Sequence, residues 1–294
     1  MTPPTREGTT LSPIKAADVG FYHENGYLVV PGLVSADEVE VLRDDATKVC
    51  RGIEYPHQRL PPAAAIESDE EVMARYLCIH QPHKISPVLL ESGVKHAGMA
   101  AALARLIGPD VKCMQSILFI KPPGFQGQGW HQDEVYIPTR DRSLIGGWIA
   151  LDDATQENGC LWVLPGSNKG ILHEQRSHDN PDEFDGTGES YGFDPSGEIP
   201  VEVKAGDVVF FNGYLLHRSF KNRSTAYRRV LVNHYMNAWS LLPWRVAQGE
   251  AAAKADFRDI IMVAGSDPYD WKGTENLTDV SVRQCKASAE QRPS

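Results

Sequence analysis

Apolar and polar positions follow one rhythm before about residue 111 and another after it. In the first part, Gly26-Tyr27-Leu28-Val29-Val30-Pro31 reads as a short strand closed by proline. Ser35-Ala36-Asp37-Glu38 opens a helix, with Ser35 as N-cap and Glu38 completing a capping box. Val39, Val41 and Leu42 are the candidates for its apolar stripe. The Ala- and Leu-rich run 96–107 predicts a second helix, ended by Gly108-Pro109. Beyond residue 111, brief apolar or alternating runs recur at 113–121, 129–137, 145–151, 160–164, 199–204, 207–212, 214–220 and 228–236. Gly, Pro, Asn and Asp separate them, and Ala205-Gly206-Asp207 and Asn212-Gly213 read as tight turns. Eight strands so spaced predict an antiparallel sandwich or barrel, and a double-sheet jelly roll fits the number.

Two stretches break the rhythm. Residues 168–198 are polar, hold five glycines and show no periodicity, as expected of a functional or disordered insertion. After Gly249 the pattern is weakly helical over 250–259, then polar and irregular. The predicted organisation is a loose tail at 1–15, one domain at 16–248 with N-terminal helices and a lid insertion at 168–198, and an extension at 249–294.

Composition acts mainly by exclusion. A chain of 294 residues with 41% hydrophobic and 23% charged residues can bury a real core. No run of 18 apolar residues occurs, so no membrane helix is expected. The net charge of −10 argues against a nucleic-acid partner but leaves a small anionic ligand open, since a basic pocket can sit inside an acidic protein. Cys50, Cys78, Cys113, Cys160 and Cys285 are odd in number and widely spaced, with no CxxC, which predicts free thiols in a reducing compartment. The opening residues lack the apolar core of a secretory signal, and Gln291-Arg292-Pro293-Ser294 is neither a prenylation box nor a peroxisomal address. Cytoplasm is the expectation. No heptad or interface stripe indicates an oligomeric state.

The chemistry concentrates in one constellation. His131-Gln132-Asp133 is the sequence's single His-x-Asp or His-x-Glu, and it falls in a predicted strand. Residues i and i+2 of a strand share a face, so this imidazole and carboxylate converge. A remote histidine, His217 after the apolar run 208–216, would complete a two-histidine, one-carboxylate triad suited to Fe(II) with open positions. Eleven residues further stands Arg228, heading an apolar strand. A buried arginine needs an anion, and its fork suits a carboxylate.

These residues, with others in fixed order, resemble the phytanoyl-CoA dioxygenase family of Fe(II)/2-oxoglutarate oxygenases. The resemblance runs from Phe21 to about Asn237. It rests on Gly26-Tyr27-Leu28-Val29-Val30-Pro31-Gly32-Leu33, Gln115-Ser116, His131-Gln132-Asp133 and Gly147-Trp148-Ile149-Ala150-Leu151-Asp152-Asp153-Ala154. It continues in Glu157-Asn158-Gly159-Cys160-Leu161-Trp162, Leu164-Pro165-Gly166-Ser167, Gly206-Asp207-Val208, and His217-Arg218-Ser219 followed by Arg228. It implies a double-stranded β-helix, a cupin-like jelly roll with packed helices. It implies His131, Asp133 and His217 as iron ligands, and Arg228 as the anchor of the distal carboxylate of 2-oxoglutarate. Ser219 would assist that arginine, Trp148 would line the co-substrate site, and Gln115 and Ile117 would line the pocket. An upstream basic or polar residue is also implied, at no assigned position.

Related halogenases carry Ala or Gly where Asp133 stands, so oxygenation is expected here. The implied reaction consumes 2-oxoglutarate and O2 and oxidises an unactivated C–H of a small molecule, most simply by hydroxylation, with desaturation, epimerisation and ring closure left open, releasing succinate and CO2. The rival readings are a non-catalytic metal- or 2-oxoglutarate-binding module, and a jelly-roll enzyme using Zn(II) or Mn(II). In the insertion, His173, Glu189 and Tyr191 are candidate substrate contacts, as is Arg218 beside the distal histidine. His80 and His83 read as loop residues, and Lys121, Arg140 and Arg142 as solvated surface.

Overall fold

The computed structural model describes residues 12–240, 260–274 and 278–284. Two antiparallel sheets face each other, as a double-stranded β-helix requires. The larger runs Tyr27–Val30, Val208–Asn212, Ile145–Ala150, Arg228–Asn237, Val111–Lys121, Tyr76–His80 and Ser281–Gln284, with Ile261–Ala264 also paired to Val111–Lys121. The smaller runs Gln128–His131, His217–Ser219, Leu161–Val163 and Ile199–Val201. All eight strands read from the apolar runs are present with shifted ends: Val111–Lys121 and Arg228–Asn237 run longer than expected, and the other six are shorter.

Both faces of the large sheet are covered, which explains why its strands read as continuous apolar runs. Leu118, Ile120, Ile149, Phe210 and Leu231 pack against the helices Ala36–Arg51 and Ala97–Leu106. Their alternates, Trp148, Val209, Phe211, Val230 and Val232, face the small sheet's Leu161, Val163 and Val201. Ser35 caps the Ala36–Arg51 helix in the expected box with Glu38. Its stripe runs through Val39, Leu42, Ala46 and Val49, whereas Val41 is turned outward and 50% exposed. The spacing explains this: Val41 lies about 100° away from its neighbour Leu42 on the helix.

One strand packs tightly enough to exclude side chains. A Cβ on Gly146 would lie within 2.3 Å of the Phe211 ring, so the ring seats directly on backbone.

The stretch after residue 249 differs from the expected irregular extension. Ile261–Ala264 and Ser281–Gln284 join the large sheet, while the weak helix expected over 250–259 lies outside the described residues, as does most of the 1–15 tail. The 168–198 insertion is not featureless either: Gln175–Arg176 and Glu189–Ser190 form a small antiparallel pair. Among the described residues, Cys50, Cys78, Cys113 and Cys160 are free and buried, and no helix is long and apolar enough to cross a membrane.

Candidate active site

His131 ends its strand and lies directly opposite His217, the first residue of the neighbouring strand. The strand expected over 129–137 stops there, and Asp133 opens a 3-10 turn, Asp133–Val135. Gln132 between them stays extended (φ −129°, ψ 125°), so His131 and Asp133 still point the same way. Gln132 points away, where its amide bonds the carbonyls of Ile171 and Tyr214 and accepts from the His173 backbone, tying the insertion to the motif. One ligand atom from each of His131, Asp133 and His217 falls within 4.8 Å of the others. Asp133 Oδ1 lies 3.7 Å from Nε2 of both imidazoles.

The backbone sets the tautomers. Nδ1 of His131 is 2.9 Å from the Gly129 carbonyl, and Nδ1 of His217 is 2.9 Å from that of Leu215. A carbonyl only accepts, so each Nδ1 carries the proton and each Nε2 turns its lone pair to the centre. Burial and the neighbouring His217 push the His131 pKa down to about 4, which keeps that imidazole neutral. Burial opposes charge on Asp133 too, yet His217, His234 and His131 together hold its carboxyl below the usual range. Two imidazole nitrogens and one carboxylate oxygen around a buried point are a donor set that could hold a divalent metal.

A fourth residue joins them. His234 Nε2 donates to Asp133 Oδ2 at 3.0 Å, leaving Oδ1 for the centre. Motif reading missed it, although alternation along Arg228–Asn237 carries 228 to 230, 232 and 234 on one face.

All of these residues open into one cavity of about 300 Å³. Gln115, Ile117, Trp148, Ser219 and Arg228 line it as well, as do Phe211 and Leu161. The guanidinium of Arg228 lies 5.5 Å from the Trp148 ring centroid. Its neighbour Arg229 faces the other way and pairs with both carboxylate oxygens of Asp152 at 2.8 Å. Among the described residues no carboxylate pairs with Arg228, and its Nε is buried without a partner. Burial lowers its pKa to about 10, so it stays a cation at neutral pH.

Lys121, read from the sequence as solvated surface, is 2% exposed and lines the same cavity. It sits opposite Arg228 in register, and its ammonium donates to Ser219 Oγ at 3.3 Å and to the Phe220 carbonyl. Alternation from Gln115 through Ile117 and Phe119 would have put it there.

The insertion's candidates fare differently. His173, Glu189 and Tyr191 lie off the cavity wall. His173 meets the Tyr191 carbonyl and the Phe193 ring, Glu189 packs on Gly129, and the Tyr191 hydroxyl donates to Glu174 at 2.6 Å. Asp185 and Thr187 reach the wall instead. Arg218 lines the cavity but is tied to Glu198 at 2.5 Å and stacked between Trp130 and Phe220. His80 is not a loop residue: it ends Tyr76–His80 and lines the wall, and burial, with help from Arg283, lowers its pKa to about 4. Arg283 lines it too, paired with Asp185 at 2.6 Å.

The family model described as phytanoyl-CoA dioxygenase (PhyH) matches residues 22–230, which include the helices Ala36–Arg51 and Ala97–Leu106, the whole small sheet, the large sheet's strands from Tyr27–Val30 to Val208–Asn212 in chain order and every residue of the triad. The chain belongs to the phytanoyl-CoA dioxygenase family. Phytanoyl-CoA dioxygenase 1 of Oryza sativa subsp. japonica is 31% identical over 258 residues, covering 76% of this chain and 91% of that one. A probable phytanoyl-CoA dioxygenase of Caenorhabditis elegans is 31% identical over 249 residues, covering 79% and 78%. Among solved structures, the non-heme alpha ketoglutarate dependent carbocyclase SnoK from nogalamycin biosynthesis is similar. It shows 25% identity and a TM-score of 0.62, covering 82% of this chain and 92% of that one. EvdO2 from Micromonospora carbonacea var. aurantiaca, solved with 2-oxoglutarate, shares the fold at a TM-score of 0.61 and 23% identity, covering 80% and 95%. As a phytanoyl-CoA dioxygenase family member the chain is an oxidoreductase of the dioxygenase type.

Proposed function

We propose that this protein is an Fe(II)- and 2-oxoglutarate-dependent dioxygenase that hydroxylates a C–H bond of a small organic molecule. The observation that carries this reading is the pairing of two features in one cavity: the His131, Asp133 and His217 donors, and the buried, carboxylate-free Arg228. A binding module or a zinc enzyme has no need of both. His131, Asp133 and His217 would hold Fe(II), and a set of only three protein ligands would leave it accessible to a 2-oxo acid and O2. Arg228 would bind the distal carboxylate of 2-oxoglutarate, with Trp148 fixing its guanidinium from the side.

When bound, Fe(II) would activate O2, the oxidant, so that loss of CO2 from 2-oxoglutarate is coupled to oxidation of the substrate. The balance is 2-oxoglutarate, O2 and R–H giving succinate, CO2 and R–OH. The chain's part is placement and shielding. Phe211, Trp148, Leu161, Ile117 and Val232 make much of the wall apolar, which excludes water from the reacting carbon. His80, Gln115, Tyr136, Asp185, Thr187 and Arg283 offer the polar contacts that would orient a substrate.

The test is anaerobic titration of the metal-free protein with Fe(II), then 2-oxoglutarate, reading the visible charge-transfer band of a chelated 2-oxo acid. The parent gives the band, His131→Ala does not, and Arg228→Ala needs about tenfold or more 2-oxoglutarate, as expected for a lost charge-assisted pair. Metal binding without a band in the parent overturns the reading.

A further inference from the structure

Arg283 also lines the cavity, and its chemistry differs from that of Arg228. It comes from Ser281–Gln284, beyond the residues that match the family model, so the family reading assigns it nothing. Register runs Val230, Phe119, Cys78, Arg283 across the large sheet, which sets Arg283 roughly 14 Å from the strand of Arg228 at the usual spacing. Ile117 and Phe119 line the cavity on the strand between. Arg228 has no carboxylate partner among the described residues, whereas Arg283 Nη2 donates to Asp185 Oδ2 at 2.6 Å. Asp185 accepts on its other oxygen from the N–H and the hydroxyl of Thr187. Burial opposes charge on Arg283, but Asp185 and Cys78 outweigh it and lift its pKa above the ordinary value. A carboxylate that accepts on both oxygens and a guanidinium together carry no net charge.

The pair still has donors and acceptors to offer. A guanidinium carries five N–H donors, the Asp185 bond takes one, and the side chain is 36% exposed. Asp185 Oδ2 keeps a lone pair, and the Thr187 hydroxyl, which donates to Asp185, can itself accept. All three residues line the cavity. A charged guest fares worse here: a carboxylate at Arg283 meets the like charge of Asp185, and an ammonium at Asp185 meets that of Arg283. His80 on the neighbouring strand adds no charge at neutral pH, since burial, Arg283 and His234 hold its pKa at about 4. An apolar pair could join the insertion to the edge strand without burying charge, so packing alone does not account for the two ions.

We infer that the Asp185–Arg283 pair determines specificity, selecting a substrate whose polar end is uncharged and both donates and accepts hydrogen bonds, a hydroxyl or a carboxamide, over a carboxylate or an ammonium. The two arginines then divide the cavity. The unpaired one takes the anionic co-substrate, and the paired one reads a neutral group across the apolar wall of Ile117 and Phe119. The inference rests on the oxygenase reading of this cavity, and its test separates the two.

Three probes of one length differ in charge: hexanamide, hexanoate and hexylammonium. Each is titrated by calorimetry, without oxygen, into protein loaded with Fe(II) and saturating 2-oxoglutarate, so that the metal and Arg228 are already occupied. The proteins are the parent, Asp185→Asn and Arg283→Gln. The parent binds hexanamide more tightly than either ion. Asp185→Asn leaves the guanidinium alone and gains about tenfold or more for hexanoate, and Arg283→Gln leaves the carboxylate alone and gains as much for hexylammonium. Each variant serves alone if the other does not fold, and a parent too weak to measure is read from the variants' gains. A parent that binds either ion as tightly as hexanamide, a folded variant without its gain, or loss of the fold in both variants overturns the inference and leaves the pair a structural tie. A parent that binds Fe(II) and gives no charge-transfer band with 2-oxoglutarate overturns the oxygenase reading instead.

Discussion

Three imidazoles converge on the carboxylate of Asp133, and they do so for different reasons. His131 and His217 aim their lone pairs past it, while His234 Nε2–H donates a hydrogen bond to its Oδ2. That bond fixes which oxygen faces the metal. Substituting His234 by Leu is expected to weaken Fe(II) or Co(II) binding by roughly 10–100-fold, the usual cost of losing a partner behind a metal ligand. Asn at 234, which retains a donor, should recover part of it. Competition titration against a chelator checks this, and unchanged affinity in the leucine variant would sink the role. His131, Asp133, His217 and Arg228 were legible in the sequence because each carries a motif or a charge in an apolar context. His234 and Lys121 were not, because their default readings are bland. A lysine is almost always solvated, and only the strand's alternation carried through to its last residue says otherwise.

At the scale of elements, the strands missed from the sequence are the short pair in the 168–198 insertion and those toward the margin of the large sheet. Ser281–Gln284 is polar and carries no buried apolar stripe, so no periodicity announces it. Its pairing with Tyr76–His80 is visible only in three dimensions, and it brings Arg283 to the cavity. There the Arg283–Asp185 pair joins this edge strand to the 168–198 insertion, and Asp185 also accepts from the backbone and hydroxyl of Thr187. Removing the guanidinium with Arg283→Ala should cost about 1–2 kcal/mol, between the values for exposed and buried pairs. The expected result is roughly tenfold faster hydrogen exchange at 184–187 and 281–284, with 111–121 unchanged. Exchange that rises uniformly, or not at all, would show that the pair does not tie the two segments together. The central strands were legible for the opposite reason: covered on both faces, they read as unbroken apolar runs.

For the molecule as a whole, the cavity's histidines tie stability to pH. His131 and His80 are pushed from an ordinary 6.5 to about 4, each mainly by burial. Between those values the unfolded chain binds protons that the folded chain refuses, so acid favours unfolding. The metal-free protein should hold its full stability above about pH 6.5 and lose it progressively toward about pH 4. Asp133 acts below this window, since its carboxyl is lowered from 3.8. Urea midpoints at about pH 7.5 and about pH 5 check it, and a flat profile would contradict the burial of both rings. The jelly roll was legible from strand number and turn spacing. The division at residue 249 was not, because the later strands complete a sheet whose pattern had seemed finished without them.

The Phe211 ring seats on the bare backbone of Gly146, and its other side lies 4.8 Å from the ring of His217. Glycine has nothing to ligate or titrate, so a survey of reactive residues passes over this codon. Yet every missense change there adds a side chain, and that side chain collides with the phenylalanine ring packed beside His217. In an inherited or experimental population of variants, loss of activity should therefore gather at a position that has no chemistry of its own to lose.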